Sequence, residues 1–80
     1  MKKPEMIERI EFFKTLQHDW DSYGADGIDP VAIEQALQIV PILDESLGWF
    51  VAPCSDGSVL FEAFKSSSKR IFIRVSAIAD

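Results

Sequence analysis

Few residues in this chain can do covalent chemistry. His18 and Cys54 are the only imidazole and the only thiol among 80 residues. A Cys–His pair supports nucleophilic catalysis when a third group orients the base. Nothing in the spacing of these two requires contact. We therefore expect no catalytic residue and a non-enzymatic protein. One Cys and one His also fall short of a zinc ligand set. Asp19-x-Asp21-x-Tyr23-Gly24 opens like a calcium-binding EF-hand loop. Tyr23 holds the fifth position of that loop, and Pro30 the twelfth, where a bidentate Glu is needed. Asp19 and Asp21 are read instead as acceptors for backbone N–H groups in a turn. Asp56-Gly57-Ser58 is turn chemistry, not a phosphate loop. No metal and no cofactor is expected.

These residues sit where elements must meet. The stretch from Asp19 to Pro30 holds Trp20, Asp21, Tyr23 and Gly24, and it separates two helical patterns. Before it, residues 4–18 read as a helix, with Met6, Ile10, Phe13 and Leu16 at helical spacing and Pro4 at the first helical position. Gly24 and Gly27 are candidates for positive φ. Trp20 is expected to close the core beneath the turn, and Tyr23 to pack on the second helix; a binding pocket around the pair is the competing reading. Asp29 as N-cap and Pro30 at the next position start the second helix. Pro41 should kink or break it, and Gly48 is expected just past its end.

The remainder alternates with period two. Trp49 to Ala52 is a short apolar strand, and Val59–Phe64 and Arg70–Ser76 form a hairpin. Pairing Val59 with Val75, Phe61 with Ile73 and Ala63 with Ile71 makes one apolar face, and a one-residue slip would bury the arginines. The expected fold is α+β in two layers: two helices on one face of a three-stranded antiparallel meander (ααβββ), as a single domain over residues 1–80.

The bulk numbers bound the function. The net charge is −5, which argues against direct nucleic-acid binding. Residues 65–74 contain Lys65, Lys69, Arg70 and Arg74 and no acid, a local +4 that leaves −9 on the rest. No apolar run reaches the length of a membrane span, the start has no signal-peptide pattern, and a lone cysteine suits a reducing compartment. A cytoplasmic location follows as the expectation.

Two helices cover only one side of a small sheet. The other side should expose Leu60, Phe64 and Phe72, ringed by Glu62, Arg70 and Arg74. Aromatics with arginine are enriched at protein interfaces. The plain alternative is an ordinary sheet face whose arginine stems cover the rings.

Trp20-Asp21-Ser22-Tyr23-Gly24-Ala25, then Asp29-Pro30, Pro53, and Asp56-Gly57-Ser58-Val59 with Glu62, resembles an uncharacterised family of small bacterial proteins. Its members often come from phages, plasmids and integron cassettes. The likeness covers roughly residues 15–75. In that pattern an aromatic often follows the glutamate, where this chain has Ala63. The resemblance implies the two-helix and hairpin layout and an accessory, mobile-element setting. It implies no activity.

The leading expectation is a protein-interaction module that binds a protein partner or forms a homodimer through the outer sheet face. A ligand-binding or enzymatic module centred on the Trp20–Tyr23 turn is the second reading. An acidic nucleic-acid mimic using the helical carboxylates is the third.

Overall fold

A computed structural model describes residues 1–77 of the chain. Two helices, α1 (Lys3–Phe12) and α2 (Pro30–Ile39), precede three strands, β1 (Gly48–Pro53), β2 (Val59–Ser66) and β3 (Lys69–Val75). The strands pair antiparallel in the order β1-β2-β3. This is the ααβββ arrangement that the patterning implies.

Helix α1 buries Met6 and Ile10, and Phe13 is buried in a 3-10 turn that follows. The helix is shorter than expected. Leu16 already has extended backbone, with ψ at 110°, yet its side chain still packs against the core. Its apolar spacing reflects burial rather than a continuing helix. Beyond the helix the chain meets the following loop closely: a Cβ on Gly27 would lie 3.0 Å from the Leu16 carbonyl oxygen. Gly27 is thus constrained by space and not, as expected, by a positive φ. Positive φ falls on Asp19, Ser22, Gly24 and Gly57.

Helix α2 starts as the sequence dictates. The Asp29 carboxylate accepts the Val31 N–H at 2.8 Å, and Pro30 follows it. Ala32, Ile33 and Ala36 are buried on its inner face. Pro41 cannot donate to the Leu37 carbonyl, and the α-helix ends at Ile39, giving way to a 3-10 turn over Val40–Ile42. Gly48 does not follow a helix; it opens β1, because the helix has stopped well before it.

The β2–β3 register is Val59↔Val75, Phe61↔Ile73 and Ala63↔Ile71, as the alternation requires, and it shifts only near the tip, between Phe64 and Ser66. On the inner face Val59, Phe61, Ala63 and Val75 are buried, whereas Ile71 and Ile73 are only half-buried. β3 lies at the far edge of the sheet from β1.

The loop before α2 and the β1–β2 loop are joined by backbone bonds. Asp26 N–H donates to the Ser55 carbonyl at 2.8 Å, and Asp29 N–H to the Gly57 carbonyl at 2.9 Å. A Cβ on Gly57, whose φ is +88°, would stand 3.0 Å from the Gly27 carbonyl oxygen. Both the dihedral and the space demand glycine. Gly57→Ala is expected to lower stability by about 2 kcal/mol. Gly48→Ala, which meets nothing within 4 Å, should change it by less than about 0.5 kcal/mol. Urea melts of both variants check this, and equal midpoints would show that the loop contact carries no strain.

Candidate interaction surface

Pairing across the three strands lays the outer face out in three rows: Gly48, Phe64 and Arg70; Phe50, Glu62 and Phe72; Ala52, Leu60 and Arg74. All six residues expected on this face are there. Phe50 was not among them. Trp49 is buried and Phe50 is exposed, but a run of four apolar residues shows no alternation by which to choose a face. Phe50, Phe64 and Phe72 are 51%, 57% and 52% exposed. Leu60 and Glu62 are half-buried beside them.

The two arginines behave differently. Arg70 stays on the face. Its guanidinium lies 5.6 Å from the Phe64 ring centroid and 5.1 Å from that of Phe72, and 3.4 Å from the Glu62 carboxylate. Arg74 leaves the face at its end. Its Nη2 pairs with the Asp56 carboxylate, and its Nε donates to the Ser58 hydroxyl at 3.1 Å. Much of the local positive charge is therefore matched. Lys65 and Lys69 have no ion pair among the described residues. Arg9 of α1, placed by its spacing on the wet side, instead reaches β1: it donates to the Val51 carbonyl at 2.7 Å and lies 5.1 Å from the Phe50 ring.

The Trp20–Tyr23 turn is built from the acids inward. Asp19 Oδ1 accepts the Gly24 N–H at 2.7 Å. Asp21 Oδ1 accepts the N–H groups of Tyr23 at 2.8 Å and Ala25 at 3.1 Å. Asp19 and Asp21 thus serve this turn and do not lie at a helix end, since α1 stops at Phe12. Trp20 packs against the core, and its indole N–H donates to the Asp26 carbonyl at 2.7 Å. Tyr23 does not pack on α2, as expected; it is 92% exposed. The carboxylate bonds wrap the turn tightly and leave its side chain pointing into solvent.

Among the described residues, no group of three or more His, Cys, Asp or Glu side chains is placed to hold a metal ion. No helix there is long and apolar enough to cross a membrane. A shallow depression lined by Glu5, Glu8, Arg9 and Phe12 lies along α1, away from the Trp20–Tyr23 turn. No family model, curated protein or solved structure matches the chain.

Two predictions follow from the loops that frame this surface. The Ser58 hydroxyl at 2.5 Å and the Ser58 N–H at 3.0 Å, with Arg74 beside them, hold the Asp56 carboxyl below its ordinary value. A depressed carboxyl stabilises the fold above its unfolded pKa, and the stabilisation is lost as pH falls through the folded one. Asp56→Asn is expected to remove no more than about 1 kcal/mol near neutrality, because the pair is half-exposed, and to flatten the decline below about pH 4. Urea midpoints across that range check both parts; parallel curves for the two proteins would refute them. Trp20→Ala should cost about 2–3 kcal/mol, the low end for a large aromatic, since Trp20 is half-buried. Tyr23→Ala should leave the melting temperature unchanged, and calorimetry of the two variants distinguishes their roles.

Proposed function

We propose that the protein is a small non-enzymatic interaction module that binds a protein partner, or a second copy of itself, through the outer face of its sheet. The supporting observation is the set of three phenylalanines, each more than half exposed, on one face, Phe64 and Phe72 around Arg70 and Phe50 beside Arg9. Free surfaces seldom keep so many large aromatics together, and such clusters with arginine typify binding hot spots. The lone Cys54 fits a reducing, cytoplasmic setting. The resemblance carried by the Trp20–Ala25 and Asp56–Val59 motifs adds an accessory role on mobile DNA, such as modulation of a host defence or toxin system.

One observation favours a second reading. Tyr23, 92% exposed on a turn tied by three side-chain bonds, suits recognition of a ligand by a rigid loop.

Phe72→Glu separates the two. Phe72 is on the outer face between Arg70 and Arg74, and the inner Ile71 and Ile73 are untouched. The variant should keep native circular dichroism and lose association, because it replaces an apolar ring of the interface core with a charged carboxylate that must be desolvated. Light scattering and pull-down of bound protein from host extract read this out. A folded variant that still associates would remove the outer face from consideration and leave Tyr23→Ala as the informative change.

A further inference from the structure

The two edges of the sheet are finished differently. Helix α1 closes the β1 edge. Arg9 donates to the Val51 carbonyl at 2.7 Å, and the Met1 amine to the Trp49 carbonyl at 2.8 Å. Those bonds also set the alternation for the whole sheet. Trp49 and Val51 turn their polar groups away from β2, so Phe50 and Ala52 bond inward to Glu62 and Leu60. Phe61 and Ala63 then bond to Ile73 and Ile71. In an antiparallel ladder the next groups point the other way. The N–H and C=O groups of Arg70, Phe72 and Arg74 therefore face outward along the β3 edge. Among the described residues no bond reaches them.

An open edge is a template for another strand unless something blocks it. β3 contains no proline, and three of its four apolar side chains are at least partly open, Ile71 and Ile73 inside and Phe72 outside, while Val75 is buried. What it does carry is charge. Lys69, Arg70 and Arg74 lie along it, and Lys65 and Lys69 at the hairpin tip have no ion pair among the described residues. In an antiparallel pairing of two such edges about Phe72, Arg70 of each copy would lie opposite Arg74 of the other, which is destabilising across a ladder. A strand with carboxylates at the tip end would instead be drawn in.

We infer that the β3 edge accepts a fourth antiparallel strand from a partner protein: an extended segment, apolar opposite Ile71, Phe72 and Ile73, and acidic where it passes Arg70, Lys69 and Lys65. This deepens, and rests on, the reading of the sheet as the binding surface. Backbone bonds along the edge supply affinity, and side chains of alternating face supply selectivity.

The probe is an acetylated, amidated peptide, Thr-Val-Leu-Val-Glu-Glu-Asp, titrated into the ¹⁵N-labelled full chain. The register sets Leu opposite Phe72 and the first Glu opposite Arg70. Shifts should centre on the amides of Lys69–Val75. Affinity should fall roughly tenfold or more in about 1 M salt, where screening is nearly complete, and similarly in a Lys65→Glu/Lys69→Glu variant. N-methylation of Leu and the first Glu should abolish binding, because those amides face the edge. N-methylation of the two Val residues, whose amides face away, should spare it.

Equal binding by both methylated peptides would overturn the strand addition. If Phe72→Glu then removes that binding, the outer face stands as the surface without the edge. No binding of the unmodified peptide would also overturn the inference; the association of Phe72→Glu still judges the face independently. Tighter binding of oligothymidylate, or self-association that occupies the β3 amides, would reassign the edge to nucleic acid or to a second copy.

Discussion

Two backbone hydrogen bonds, Asp26 N–H to the Ser55 carbonyl and Asp29 N–H to the Gly57 carbonyl, fasten the helical half of the chain to the sheet. Asp29 is also the N-cap of α2. The same residue therefore starts the helix and ties that start to the turn that begins β2. Close approach makes the contact possible, since Gly27 and Gly57 meet backbone to backbone where a Cβ would intrude. The placement of α2 over the sheet depends on this junction, and so does the side of the sheet that is left open.

The junction extends to both ends of the molecule through acids. Asp19 and Asp21 fold the turn before it by accepting backbone N–H groups. Asp56 folds the turn after it by accepting from Ser58, and it draws Arg74 from β3. Several of the acids in this acidic sequence thus shape loops while remaining at least partly exposed to solvent.

The sheet was legible in the sequence because period-two alternation over β2 and β3 admits one register that keeps the arginines out of the core. The Pro41 break and the Asp29–Pro30 start were legible for local covalent reasons. What could not be read lies beyond residue types and spacing. Leu16 keeps its apolar spacing and its packing on the core where the helix has already ended. The face of Phe50 depends on pairing with Glu62, since Trp49 to Ala52 are apolar at every position. The acids that curl the Trp20–Tyr23 turn were legible as acceptors, but not the N–H groups they take nor the outward course of Tyr23. Arg74 alternates correctly onto the outer face, yet its head group departs toward Asp56, a residue 18 positions away.

Arg70 shows why the outer face is ordered without being closed. One guanidinium serves two rings, Phe64 and Phe72, and is itself held by Glu62. A planar group of that size cannot cover both rings, so each remains more than half exposed. The contacts favour one arrangement of these four side chains over the alternatives. Ordering rotamer-rich side chains at an interface costs roughly 0.5–1.5 kcal/mol apiece on association. Here part of that ordering is present before anything binds, and the rings bring only two torsions each. The arrangement leaves apolar area available, and in the interface proposed above it would lower the entropy loss on covering that area.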